Sequence, residues 1–268
     1  MKTLRQFVWG ILILVFAASL MAGLLAPAPY GQQFRDSTNA GPSRRFPLGT
    51  DELGRDRLSR LLYGSRVSLL LAPAAALLST FIAALIGGLA GYLGGWWERL
   101  IMRFIDLSLS LPWLFLLLTV RALLPLNVSP VASVSITFAL LGLLGWAGPA
   151  RVVRSGVRSL TSSGFVLQAK ACGCRGSRLL VMQVLPNLKP ILQAQFWISV
   201  PVFILAEANL GLLGLGVSEP LPSWGNLLRG LENYGAVRSN PWTLAPVLLL
   251  VIVMGSLHLV FPGEDYYS

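Results

Sequence analysis

The sequence predicts an all-α membrane protein with six transmembrane helices, on the strength of two observations. Hydrophobic residues make up 54% of the 268 positions and charged residues only 12%, whereas a soluble domain carries about 25% charged residues. The apolar residues are also grouped in stretches of about twenty, the length that an α-helix needs to cross the hydrocarbon core. We therefore expect the bilayer, rather than a water-excluded protein core, to surround most of these side chains.

The six predicted spans follow one another along the chain. They cover residues 7–25, 67–94, 100–124, 130–150, 191–217 and 244–261. Lys2 and Arg5 precede the first span and favour a cytoplasmic N-terminus. Residues 26–28 loosely resemble a signal-peptide cleavage site, but the first apolar stretch is longer than a signal peptide requires, so we predict an uncleaved helix.

Glycine and proline give two of the spans local features. Gly87, Gly91 and Gly95 recur at four-residue spacing and predict a smooth face on the second span, where another helix approaches closely. Pro112 lies inside the third span and predicts a kink or a locally unwound turn. Between these two spans, the link Trp96–Arg99 places aromatic and charged side chains at the membrane interface.

Charge indicates which loops face the cytoplasm. Residues 151–190 hold seven basic residues and no acidic one, so we predict a cytoplasmic loop. The loop 26–66 holds seven arginines and four acidic residues and is external in this topology, because long loops cross the membrane despite positive charge. The predicted organisation is a helix at 1–25, this external loop, a five-helix core at 67–261 and a short tail at 262–268.

The cytoplasmic loop 151–190 contains a short predicted helix. Residues 161–164 supply capping side chains, Phe165, Val166, Ala169 and Cys172 fall on a common side, and Gly173 ends the helix. A second segment follows and ends at Pro186, which breaks the helix before span five. Such a helix suits docking into a groove of a soluble partner or lying on anionic lipid headgroups.

Three polar residues in the spans are candidates for a role in the pathway or the bundle. Glu207 has apolar neighbours in sequence, so it must face a polar cavity, find a partner on another helix or be protonated. The two interpretations are a residue of the transport pathway and a structural hydrogen bond. Asn209 lies two residues further on. Asp106 forms a predicted i,i+3 pair with Arg103.

Several function classes are excluded. The basic residues lie in loops without aromatic interleaving, which argues against nucleic-acid binding despite a net charge of +10. No phosphate-binding G-x-x-x-x-G-K-[ST] sequence occurs, so any ATP must be hydrolysed by another subunit. Cys172 and Cys174 are too few for a structural zinc site, and their place in a cytoplasmic loop disfavours a disulfide. We predict no metal site and no catalytic residue.

Several stretches resemble ABC importer permeases. Ala169, Gly173, Leu185 and Pro186 fit the cytoplasmic signature of these permeases, including its spacing, whereas Leu167 and Gln168 stand where the signature has glutamate and alanine. Residues 47–69 and 204–225 resemble the C-subunit type of the dipeptide, oligopeptide and nickel permeases. Asp106 and Pro112 also fit, and the resemblance covers residues 5–255. The tail 262–268 departs from the family pattern.

The resemblance implies a type I ABC importer fold and the role of a permease subunit that moves peptides by alternating access across the bacterial inner membrane. It implies as partners a second homologous permease, two ABC ATPases that hold ATP and Mg²⁺, and an external substrate-binding protein; no cofactor is expected in this chain. The residues implied for ATPase coupling are Phe165, Val166, Ala169, Lys170, Cys172, Gly173, Leu185 and Pro186. Those implied to face the binding protein are Asp51, Arg55, Asp56 and Trp224.

Two alternatives stay open at this point. A nickel or other small-solute importer would use the same scaffold. A stand-alone secondary transporter or channel would need no ATPase, and transport driven by an ion gradient alone would distinguish it.

Overall fold

A computed structural model describes residues 2–123, 128–174, 176–232 and 234–260. These residues form helices joined by turns and contain no strand; their only β-type pairing is an isolated bridge between Thr50 and Asp56. The all-α prediction is confirmed. Leu124, Phe261 and the tail 262–268 belong to the predicted third span, sixth span and C-terminus, and they lie outside the described residues.

Four of the described helices are long and apolar enough to cross a membrane alone, at Thr3–Leu20, Arg57–Leu93, Leu180–Leu212 and Pro241–Val260. They correspond to the first, second, fifth and sixth predicted spans. We label the helices they contain α1 (Lys2–Leu20), α3 (Arg57–Leu93), α10 (Leu185–Leu212) and α13 (Ala245–Val260). With 37 residues at about 1.5 Å per residue, α3 is longer than the hydrocarbon core is thick.

The third and fourth predicted spans are each a pair of helices with a bend between them. The pairs are α4 (Gly95–Ser110) with α5 (Trp113–Leu123), bent by 77°, and α6 (Pro130–Leu144) with α7 (Ala147–Thr161), bent by 40°. If each pair is one span, the total is six, as predicted. The first bend confirms the expected break at Pro112: Leu111 before it has an extended backbone, because the proline ring excludes helical geometry from the preceding residue.

The short helices lie in the connections. They are α2 (Ala22–Leu25), α8 (Gly164–Ala171), α9 (Gly176–Leu179), α11 (Trp224–Arg229) and α12 (Tyr234–Ser239), with 3₁₀ turns at Arg35–Ser37, Gly230–Glu232 and Pro241–Leu244.

The prediction that Pro186 breaks the helix before span five is wrong. A π-helical turn at Leu180–Val184 leads directly into α10, and Pro186 is the second residue of that helix. Proline is accommodated there because the π-helical turn directly before it replaces the i→i−4 bonds that the ring would disrupt with wider i→i−5 bonds, such as that from the Leu185 N–H to the Leu180 carbonyl. The helical path into span five therefore begins before the proline and continues through it.

The described residues divide into two compact units. The first unit contains those of Met1–Ala72, Val120–Phe138 and Pro201–Pro262, and the second those of Pro73–Thr119 and Ala139–Val200. Within the first unit, α13 packs against α1 and α11; within the second, α4 packs against α7.

The core of the second unit forms where α7 crosses α3. Its buried residues are Ala83, Ile105, Ala147, Ala150, Val153, Val157, Val184 and Leu188. A Cβ atom at Gly87 would lie 2.2 Å from the Ala150 carbonyl oxygen, and one at Gly91 would lie 2.7 Å from that of Arg154. The predicted close helix approach is confirmed at these two glycines. Gly95 differs: it has a φ of +59° and no neighbour for a Cβ, because it lies in the turn that starts α4.

Candidate functional site

Helix α8 is the predicted coupling helix, and its ends are defined by local backbone chemistry. Gly173 has a φ of +86°, its N–H donates to the Lys170 carbonyl, and the N–H of Cys174 donates to the Ala169 carbonyl. This pair of bonds is a Schellman motif, which needs a residue that accepts positive φ. The prediction that Gly173 ends the helix is confirmed.

At its beginning, α8 differs from the prediction. Ser163 occupies the capping position with an extended backbone, but its side chain caps no N–H group of α8. Its hydroxyl donates instead to the Leu160 carbonyl at 2.5 Å. The hydroxyl therefore satisfies the end of α7 rather than the start of α8.

The predicted common side of α8 is divided between the interior and the surface. Val166 is completely buried, so it anchors α8 to the second unit, whereas Phe165 is 41% exposed. Cys172 is exposed and lies seven residues from Phe165, on the same helix face. The structure corrects the prediction for Val166: a buried side chain cannot enter a partner's groove. Leu185, Pro186 and Lys170 are exposed as well.

Two contacts connect the α8 region to the rest of the second unit. Glu98, at the start of α4, accepts hydrogen bonds from Arg154 and from Arg158 Nη1, the latter at 2.6 Å. Tyr92 donates from its hydroxyl to the Gly176 carbonyl at 2.8 Å. Glu98 is buried, and both arginines belong to α7, the helix before α8. These bonds join α4 to α7, the helix before α8, and join α3 to the segment that follows α8.

Our reading of the sequence missed this cluster of Glu98, Arg154 and Arg158, which we call the Glu98 clamp. The signal was present in the spacing: the two arginines are four residues apart and so lie on one helix face. The only acidic residue of the Trp96–Arg99 link precedes them by two predicted spans.

Asp106 has a different partner from the predicted one. Its carboxylate pairs with Arg151 of α7 rather than with Arg103. Both side chains are more than half exposed, so the pair contributes little to stability. Asp106 therefore adds a second, weaker connection between α4 and α7.

Glu207 lies at the centre of a buried polar cluster in the first unit. Its Oε2 atom accepts hydrogen bonds from the Ser68 hydroxyl at 3.3 Å and from the Gly225 N–H at 3.4 Å. The whole side chain is buried. These contacts join α3, α10 and the first turn of α11, which supports the structural interpretation of this residue. Asn209 is exposed and is not among these partners.

Glycine makes the approach of α11 to α10 possible. A Cβ atom at Gly211 would lie 2.3 Å from the backbone of Gly225, and one at Gly225 would lie 2.7 Å from the Glu207 carbonyl oxygen. Any side chain at either position would push the two backbones apart and pull the Gly225 N–H away from Glu207.

Trp224 does not form an exposed surface. Its side chain is completely buried, and its indole N–H donates to the Ser65 hydroxyl at 2.9 Å. Asp56 is also buried; its Oδ2 accepts from the N–H of Ser59 at 2.8 Å, which makes it the N-cap of α3. The structure therefore corrects the prediction that these two residues contact a binding protein. Both instead stabilise the segments that carry them.

The other two predicted contact residues, Asp51 and Arg55, line a pocket of about 590 Å³ in the first unit. Arg55 bonds to Asp51 Oδ2 and to Glu219 Oε2, each at 2.7 Å. Arg60 donates to Glu219 Oε1 at 2.9 Å. This charged network joins residues 51–60 to the loop that follows α10, and it forms a charged wall of the pocket.

The chain matches known transport proteins over most of its length. Residues 83–263 match the family described as the binding-protein-dependent transport system inner membrane component. The chain is 34% identical over 255 residues to a dipeptide transport system permease protein, DppC, of Bacillus subtilis. The match covers 94% of this chain and 77% of the relative. It is 35% identical over 260 residues to a di/tripeptide transport system permease protein, DppC, of Pseudomonas aeruginosa, covering 94% and 82%.

A third relative is an oligopeptide transport system permease protein, OppC, of Haemophilus influenzae. It is 33% identical over 217 residues, which cover 81% of this chain and 67% of the relative. Together with the apolar helices, these matches show that the chain is a multi-pass membrane protein and belongs to the family of binding-protein-dependent transport system inner membrane components.

Proposed function

We propose that this chain is the permease subunit of an ATP-driven importer that moves peptides from an external binding protein across the bacterial inner membrane. The observation that carries this proposal is α8, a short helix that exposes Phe165 while Val166 anchors it, in a family of transport components. The relatives named as dipeptide, di/tripeptide and oligopeptide permeases support peptides as the substrate.

In this proposal, α8 docks in a groove of an ATPase subunit and receives its movement. An exposed aromatic side chain on a helix suits an apolar groove. The Glu98 clamp then carries the movement from α7 to α4. The close contacts of α7 with Gly87 and Gly91 carry it to α3. Leu167 stands where related permeases have the signature glutamate, so the apolar exposed side chains make a larger share of the docking contact here.

The proposed assembly contains this chain, a second homologous permease, two ABC ATPases and an external binding protein. ATP and Mg²⁺ are bound by the ATPases, and this chain needs no cofactor. Lys2 and Arg5 precede the first span and seven basic residues occupy 151–190, which favours a cytoplasmic N-terminus and a cytoplasmic α8.

The pocket lined by Asp51 and Arg55 is the proposed contact region for the binding protein. It lies in the part of the chain for which the topology predicts an external position. Its wall carries both charge signs, a pattern that gives a docking surface specificity and register more than affinity.

The test is co-expression of this chain with the remaining genes of its operon, followed by purification in mild detergent and reconstitution in liposomes. We expect a second permease and ATPases to co-purify with the chain. We also expect peptide uptake that depends on ATP and requires the binding protein. Recovery of the chain alone, with uptake driven by an ion gradient, would contradict it and favour a secondary transporter.

A further inference from the structure

A second cavity in the first unit, of about 230 Å³, is lined by a buried arginine that has no charged partner among the described residues. Arg121, in α5, is completely buried. Its Nη2 atom donates to the Ser133 hydroxyl at 2.9 Å and to the Gly216 carbonyl at 3.2 Å. Its Nε and Nη1 atoms have no hydrogen-bond partner among the described residues. Arg121 therefore lies at the cavity wall with two of its three guanidinium nitrogens unpartnered in the described part of the chain.

A second cation lies at the same cavity. Arg229, at the end of α11, is exposed, and its guanidinium lies over the backbone of Gly214: a Cβ there would be 3.3 Å from Nη1. Gly214 has a φ of +74°, so the chain turns sharply at this point and leaves the space that Arg229 covers.

Among the described residues that line the cavity, the one carboxylate is already engaged. Glu219 accepts from Arg55 Nη1 at 2.7 Å and from Arg60 Nη2 at 2.9 Å, and no described carboxylate lies within 4.0 Å of Arg121. The cavity thus presents two guanidinium groups and no free counter-charge from the described residues. A buried charge without a counter-ion is costly, and a protein that keeps one commonly uses it to bind.

We propose that this cavity binds the free carboxylate of a short peptide in transit. The Arg229 guanidinium can present paired N–H donors in the geometry that a carboxylate accepts, and the buried Arg121 guanidinium adds positive charge beside them. The volume is below the roughly 300–1,000 Å³ of a pocket that holds a whole small molecule, so it takes one end of a peptide rather than all of it. The nature of the ligand rests on the proposed function; the cationic cavity does not.

The test compares uptake of a dipeptide with that of the same dipeptide carrying a C-terminal amide, in the reconstituted complex with its binding protein. The acid-to-amide ratio is the uptake of the free dipeptide divided by the uptake of its amide. The ratio of each variant is divided by that of the native complex. Because the binding protein is the same in every assay, its own preference cancels. We expect Arg229→Gln to lower this ratio about tenfold or more, the effect of losing a hydrogen bond to a charged group. Arg121→Lys, which keeps the charge, should lose less than Arg121→Gln.

The control is Arg238→Gln, which removes an exposed arginine that lines neither cavity and should leave the ratio unchanged. An unchanged ratio in Arg229→Gln would overturn the proposal, and because Arg229 is exposed this variant is expected to fold even if Arg121→Gln does not. An equal loss in the Arg238 control would overturn it too, because the effect would then be one of net charge.

If the native complex transports neither peptide, the proposed function fails, and the cavity is tested directly on the purified chain. The free dipeptide should then raise the thermal unfolding temperature of the native chain more than the amide does, and this difference should vanish in Arg229→Gln. Equal shifts with acid and amide would overturn the carboxylate site.

Discussion

Substitution of Gly87 by alanine tests the close contact between α3 and α7. The added Cβ would lie 2.2 Å from the Ala150 carbonyl oxygen, whereas ordinary contact begins at 3.4 Å, so the helices must separate by about 1.2 Å. The neighbouring atom is backbone and cannot rotate away. Overpacking of this kind costs about 1–3 kcal/mol, and the better helix propensity of alanine returns about 0.5–1 kcal/mol.

The matched control is Gly88→Ala, one residue along the same helix, where a Cβ meets nothing within 4 Å. The propensity gain is common to both variants, so the difference between them isolates the overpacking cost. In thermal unfolding of the purified chain in nanodiscs, Gly87→Ala should unfold at least about 2 °C below Gly88→Ala. Equal unfolding temperatures would refute the helix contact at Gly87.

Variants at three further sites test the polar clusters by thermal unfolding, with uptake as a second measurement at the first site. Glu98→Ala should cost about 2–3 kcal/mol, because it leaves a half-buried arginine unpaired, and should reduce uptake more than Asp106→Ala; equal losses would contradict the Glu98 clamp. Glu207→Ala should cost about 2–4 kcal/mol and Glu207→Gln clearly less, because glutamine keeps an acceptor; equal losses would point to the charge instead. Trp224→Phe should cost about 1 kcal/mol through the lost indole hydrogen bond, and no loss would argue against the bond to Ser65.

Local rules of backbone chemistry account for what could be predicted from the sequence. Apolar length identified the spans, Pro112 the bend and Gly173 the end of α8, because each depends on a few neighbouring residues. Pro186 shows the limit of such a rule: proline commonly ends a helix from its interior, yet here the helix runs through it after a π-helical turn. Which of these applies depends on the π-helical turn before it, and that turn leaves no clear pattern in the sequence.

Partners distant in the chain account for what could not be predicted. Trp224 is 159 residues from the serine that accepts its indole N–H. The residues next to Trp224 in sequence do not indicate whether its side chain is exposed in a loop or buried. The burial of Arg121 is not predictable from the sequence, because an arginine near the end of an apolar span can equally extend to the membrane interface. Only the fold shows that its guanidinium is buried beside a cavity.

The most direct test of the central claim, that α8 couples this chain to an ATPase, is the ratio of peptide uptake to ATP hydrolysis in the reconstituted complex carrying Phe165→Asp. Phe165 is 41% exposed and Val166 anchors the helix, so the variant should fold, while an unpaired carboxylate in an apolar groove should weaken docking. We expect a strong loss of uptake per ATP in this variant and little change in Phe165→Leu. Normal coupled uptake in Phe165→Asp, with both ATPases bound, would contradict it.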